Sequence, residues 1–165
     1  MSNTWQTYMQ TPVGNLLVET DGAAITCIHF LEDDETVTPT DHPLLQQAVT
    51  ELEAYFAGSL KTFSFPMAQQ GTEFQQRVWN MLGTIPLGTT ISYKTLAIQL
   101  GDEKCIRAAG TANGKNQLAI VVPCHRVIGS NGELVGYAGG MHRKKWLLEH
   151  EAKMSGHAVQ GEMRF

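Results

Sequence analysis

The sequence predicts an α+β protein in two domains, a small antiparallel sheet with one helix over residues 1–70 and a mostly helical domain over residues 71–165. Three observations predict it. Before residue 31, runs rich in β-branched and aromatic residues alternate with turn residues. From Thr72 onward, apolar residues recur at helical spacing instead. Charge also divides the chain: residues 1–83 carry two cations, Lys61 and Arg77, against ten anions, whereas residues 84–165 carry ten cations against six anions. An anionic partner therefore docks on the second half, unless the unevenness is only surface charge.

Strands are expected at Thr4–Gln10, Asn15–Thr20 and Ala24–Phe30, separated by Pro12–Gly14 and by the hairpin pair Asp21-Gly22. An acidic loop, Glu32–Glu35, follows. Asp41 and Pro43 cap and start a helix carrying Leu44, Leu45, Ala48, Leu52, Tyr55 and Phe56, which Gly58 stops. Lys61–Gly71 reads as a linker with one extended stretch, Phe63–Pro66. Thr72 is the N-cap of a helix with Phe74, Val78, Trp79 and Leu82 on one face, and Gly83 to Gly88 is a loop. Ser92 caps a helix through Leu100, Gly101-Asp102 turns, and a further helix runs from Lys104 to about Asn113. Two short helices about a glycine turn fit a helix-turn-helix, although most such pairs are only packing units. The apolar run Leu118–Val122 is expected to be a buried strand ending at Pro123. The last helix, Met141–Lys153, has Trp146, Leu147 and His150 on one face. Arg143, Lys144 and Lys145 near its start oppose the helix dipole, which suggests they face a partner.

At 42% hydrophobic and 17% charged residues, the 165-residue chain can bury a core. No apolar run approaches the roughly 18 residues of a membrane span, and Met1–Gln10 has neither the basic nor the apolar part of a signal peptide, so the expected location is cytoplasmic, with no membrane partner. Cys27, Cys105 and Cys124 are odd in number and widely spaced, which argues against a disulfide framework. Cys27 and His29 share a strand face, but two ligands make no metal site. Gly110 to Lys115 lacks the spacing and the final Ser or Thr of a phosphate loop.

Chemistry gathers at Pro123-Cys124-His125-Arg126-Val127. A thiol becomes a nucleophile as the thiolate, and a neighbouring base or cation activates it. Read alone, Cys124 is more often inert packing, His125 a satisfied core histidine and Arg126 a surface ion pair.

Several segments in order resemble the methylated-DNA–protein-cysteine methyltransferases, also called 6-O-alkylguanine-DNA alkyltransferases. They are Phe74-Gln75-Gln76-Arg77-Val78-Trp79, Ile91-Ser92-Tyr93, Arg107-Ala108-Ala109-Gly110, Asn116, Val121 through Ile128, Gly136 through Gly140, and Lys145 through Glu151. They cover most of residues 72–151, while the first 70 residues match chiefly through Thr11-Pro12-Val13-Gly14 and Leu52–Gly58. The resemblance implies a ribonuclease-H-like first domain and a winged-helix or helix-turn-helix second domain carrying the active-site cysteine. It also implies DNA repair by irreversible, stoichiometric transfer of an alkyl group from guanine's 6-oxygen, or thymine's 4-oxygen, to Cys124. His125 then matches a water-linked base, Glu151 the carboxylate that orients it, Tyr93 a phenol donating to the guanine ring, and Asn116 a brace for the turn before the active site. Arg107 matches the arginine that replaces the flipped base, on a helix that enters the minor groove where Ala108 and Gly110 permit close approach. Arg126 and Lys144 are counted with the DNA-contacting residues. Tyr137, Ala138 and Gly139 match the loop over the substrate pocket, with Ala138 where relatives often have Ser. The implied partner is double-stranded DNA containing alkylated guanine, met by a monomer without cofactor or metal. A damage-binding relative, whose kind replaces the cysteine, and a thiol hydrolase are the alternatives.

Overall fold

The computed structural model describes residues 3–32, 37, 39–134 and 136–156; all of the expected acidic loop Glu32–Glu35 after its first residue lies outside them. The chain forms two compact units, Met1–Gln70 with Gln117–Ala119, and Gly71–Asn116 with Ile120–Phe165.

In the first unit, β1 (Trp5–Thr11), β2 (Gly14–Thr20) and β3 (Ile25–Phe30) form an antiparallel sheet in the order β1-β2-β3. Alternation turns Met9, Leu16, Val18, Ile28 and Phe30 to one buried face. The turn after β1 is held by Thr11, whose hydroxyl donates to Gly14 O and accepts from Val13 N. The turn after β2 is wider than a two-residue hairpin, because Asp21 Oδ1 accepts from both Ala23 N and Ala24 N, with Gly22 at φ 95°. Helix α1 (Pro43–Phe56) buries Leu45, Ala48, Leu52 and Tyr55. Its cap is His42, not Asp41: the imidazole Nδ1 accepts from Leu44 N at 3.3 Å, and Pro43 takes the first helical position, where no N–H is needed.

The outer edge of β3 is covered by two short segments. Ile25 N donates to Pro66 O and Ala68 N to Ile25 O, so part of the expected linker is an edge pairing. Further along, Ile28 N donates to Gln117 O and Ala119 N to Ile28 O. The expected strand at 118–122 is therefore reduced to one bridge at Leu118, after which the chain turns with Ile120 at φ 74°. The run is apolar because Leu118 and Ile120 are buried, not because it is extended.

In the second unit, α2 (Glu73–Leu82) starts in a capping box: Thr72 accepts from Gln75 N, and the Gln75 side chain accepts from Thr72 N. Thr72→Ala should lower stability by about 1 kcal/mol, read as a shift in urea midpoint with unchanged slope. Trp79 closes over Gly71, where a Cβ would sit 2.5 Å from the indole, and its Nε1 donates to Ala112 O. Ser92 caps α3 (Tyr93–Gln99), and Gly101 turns the chain at φ 104°. The next helix opens as a 3-10 turn, Glu103–Cys105, capped by Asp102, before α4 (Ile106–Gly114). Strands β4 (Ile91–Ser92) and β5 (Val127–Ile128) pair in parallel. Helix α5 (Met141–Met154) departs most from expectation. It buries Arg143, Lys144, Leu147, Leu148, Glu151 and Ala152, while Trp146 and His150 stack on each other beside that face.

Candidate active site

Pro123, at φ −82° and ψ 64°, is the centre of an inverse γ-turn in which Cys124 N donates to Val122 O. A 3-10 turn, Cys124–Arg126, follows, and all three side chains are buried. At three residues per turn they fan out in three directions, so neighbours in sequence do different work.

Two of them converge on Glu151 of α5. His125 Nε2 is 2.7 Å from Glu151 Oε2, Arg126 Nε donates to Oε1 at 2.7 Å, and a terminal Arg126 nitrogen donates to Oε2 at 3.1 Å. Arg126 also donates to Ile85 O. Burial would raise the Glu151 pKa, but the neighbouring His125 and Arg126 overcome it and hold the carboxyl far below its ordinary 4.5. An ionised carboxylate only accepts, so His125 Nε2 carries a hydrogen and, in the neutral ring, Nδ1 keeps its lone pair. That Nδ1 is buried and has no protein partner, as is the Tyr137 hydroxyl, with the two rings 6.5 Å apart and edge-on.

Burial raises the Cys124 thiol pKa, and a hydrogen bond from the Asn116 side chain together with the Lys144 charge draws it partly back. The resting group is therefore a thiol that must lose its proton to react. Lys144 Nζ donates to Val127 O at 2.7 Å and to Gly136 O at 3.2 Å, and stands 5.9 Å over the Tyr93 ring. Burial lowers its pKa to about 8, against the pull of Cys124. Asn116 Nδ2 donates to Val122 O at 2.8 Å and Asn113 Nδ2 to Cys124 O at 3.3 Å, so the end of α4 is tied to the turn bearing the thiol. Of the other cysteines, Cys27 has its pKa raised to about 11 by burial and by Glu19.

Cys124 opens into a cavity of about 480 Å³ walled by Tyr93, Asn113, Asn116, Tyr137 and Ala138, with Arg107, Gly110 and Thr111 along α4. Arg107 and Ala108 are exposed on that helix. Gly110 packs on Tyr93, whose ring would stand 3.7 Å from an added Cβ.

Three expected positions need correction. Arg126 and Lys144, expected to contact DNA, are 8% and 0% exposed and spend their donors on Glu151 and on backbone carbonyls. Gly139 is buried and is not among the residues that wall the cavity, its carbonyl accepting from Arg143 at 2.9 Å. The cations at the start of α5 thus serve the interior, apart from Lys145, which lies 3.9 Å from Glu149. Asn113 was missed. At a helix end before Gly114 it reads as a cap, and only the i, i+3, i+4, i+7 line of Arg107, Gly110, Thr111 and Gly114 marks that side of α4 as the cavity side. Among the described residues, no three His, Cys, Asp or Glu side chains gather where they could hold a metal ion.

The family model for the ribonuclease-like domain of 6-O-methylguanine DNA methyltransferase matches residues 5–69, and that for the DNA binding domain of the same family matches residues 73–153. A methylated-DNA–protein-cysteine methyltransferase of Mycobacterium leprae is 45% identical over 149 residues, covering 87% of this chain and 89% of its own. The crystal structure of the Mycobacterium tuberculosis O6-methylguanine methyltransferase superimposes with a TM-score of 0.83 at 41% identity, covering 96% of this chain and 97% of the other. A structure of Mycobacterium tuberculosis OGT in complex with DNA gives 0.81 at 45% identity over 89% and 92% of the two chains. Both domain models, the relatives' sequences and the fold agree, and the chain belongs to the 6-O-methylguanine DNA methyltransferase family.

Proposed function

We propose that this protein repairs DNA by direct reversal, moving the alkyl group of a 6-O-alkylguanine in double-stranded DNA to its own Cys124, once and irreversibly. The observation that carries the reading is a thiol at a cavity wall, one residue from a His125 whose lone-pair nitrogen is left over by Glu151. The activity for which the Mycobacterium leprae relative is named and the DNA complex of a 45%-identical relative support it.

The thiol proton passes through a water to His125 Nδ1, and Sγ attacks the alkyl carbon in line with the bond to oxygen. That carbon–oxygen bond breaks, its electron pair stays on the base, and a carbon–sulfur bond forms. Tyr93 donates to a ring nitrogen as negative charge builds there. Lys144, a cation facing the thiol, favours the thiolate. The carbon–sulfur bond of a thioether resists hydrolysis, so the alkyl group stays on Cys124 and the protein is consumed. The same displacement at the 4-oxygen of alkylated thymine needs no further residue.

Guanine's 6-oxygen faces the major groove inside the duplex, and Cys124 is 7% exposed, so the nucleotide must leave the stack to reach it. Arg107, exposed beside the cavity mouth, fills the gap, and Ala108 with Gly110 lets α4 approach the minor groove. Arg107→Ala should slow repair of duplex DNA about tenfold or more while leaving reaction with the free alkylated base unchanged, since unstacking costs a few kcal/mol. Equal losses on both substrates would remove the flipping role. All the proposed chemistry lies in one unit of one chain, so a monomer suffices, and the DNA substrate is consistent with a cytoplasmic location. None of the described helices is long and apolar enough to cross a membrane.

The test is the intact mass of the protein after mixing with an oligonucleotide bearing one 6-O-methylguanine, followed by peptide mapping. One methyl per protein, on Cys124, is expected. No gain with selective binding would indicate a damage binder, and repeated turnover a thiol hydrolase; either would overturn the reading.

A further inference from the structure

Asn113 has no part in the chemistry above, yet its side chain is buried between the two groups that chemistry uses. Chemistry fixes how its amide is turned. The Cys124 carbonyl can only accept, so the Asn113 atom 3.3 Å from it is the NH2 group. The same side chain hydrogen-bonds the Tyr93 hydroxyl. Burial and Cys124 raise the Tyr93 pKa, and the Asn113 bond lowers it. Asn113 Oδ1, buried, has no hydrogen-bond partner, so the NH2 group makes this contact too. Both donors are thereby used.

A phenol has a single proton. With its oxygen already accepting from Asn113, the Tyr93 O–H is directed away from Asn113, and accepting a hydrogen bond makes it a stronger donor. We propose that Asn113 is a positioning residue: by donating to the Tyr93 oxygen and the Cys124 carbonyl together, it commits the phenol as a donor toward the base in the cavity. This rests on the alkyl-transfer reading and assigns Tyr93 its polarity within it.

The test is a double-mutant cycle on single-turnover transfer from duplex 6-O-methylguanine, using the full chain, Asn113→Leu, Tyr93→Phe and both together. Asn113→Leu should slow transfer about fivefold to tenfold, the effect of one hydrogen bond, with unchanged DNA affinity. In the Tyr93→Phe background the further cost should be clearly smaller, because only the bond to the Cys124 carbonyl is then left to lose. Equal cost in both backgrounds would overturn the proposal, because a packing role does not depend on the phenol oxygen. If Asn113→Leu does not fold, Asn113→Ser, which removes the amide without adding bulk, goes through the same cycle with the same outcomes. Failure of the unmodified protein to gain alkyl mass would defeat the transfer reading itself, whereas normal gain with additive costs defeats only the role of Asn113.

Discussion

Cys124→Ala is expected to abolish alkyl transfer completely while leaving binding to duplex DNA intact. The Sγ atom is the only group of this residue that the reaction uses. The exposed face of α4, with Arg107 and Ala108, is untouched by its removal. Intact mass after incubation with the alkylated oligonucleotide, alongside a gel-shift titration, checks both halves. Residual transfer would place the acceptor elsewhere, and Cys27, its pKa raised to about 11, is a poor candidate for a thiolate.

Glu151→Gln should be nearly as damaging to activity, and far more damaging to the fold. The carboxylate accepts from His125 and twice from Arg126, all buried. An amide keeps one acceptor and sets its NH2 group against a donor, leaving the Arg126 charge without a counterion at a cost of about 3–5 kcal/mol. The same pair makes stability depend on acid. Glu151 has a folded pKa held below its ordinary value, so its contribution is present above the unfolded carboxylate's 4.5 and is lost as pH falls from there through the folded value. Urea unfolding at pH 7 and pH 3 should therefore show a larger acid loss for the natural chain than for Glu151→Gln. Equal losses would mean that the carboxylate is not the acid-sensitive group.

Local chemistry made much of this legible. Thr72 and Ser92 announce their helices because a hydroxyl before an apolar period satisfies orphan N–H groups. The three strands follow from alternation and turn residues. Where burial alone set the pattern, the reading failed: Leu118–Val122 is as apolar as a strand, but a buried turn needs the same side chains. At the site, the motif around Cys124 points to the thiol and His125, whereas Glu151, on a distant helix, is implied only by the family resemblance. Charge misled, because Arg126 and Lys144 read as surface cations until carbonyls and a carboxylate, distant in sequence, are found around them. Asn113 stayed hidden for the converse reason, since nothing local marks a helix-end asparagine as the donor to a thiol's own backbone.

The pairing of Gln117–Ala119 with β3 bears on how the gene can be cut. The chain leaves the first unit at residue 70 and returns to it for three residues between Asn116 and the turn that carries Cys124. A gene fragment encoding residues 71–165 therefore does not encode one module. It carries a stretch whose backbone partners, Gln69 Oε1 and both main-chain groups of Ile28, are encoded upstream. Recombination or truncation at the apparent boundary would strand Leu118 in solvent six residues from the thiol, so the two halves of the gene are constrained to be inherited together.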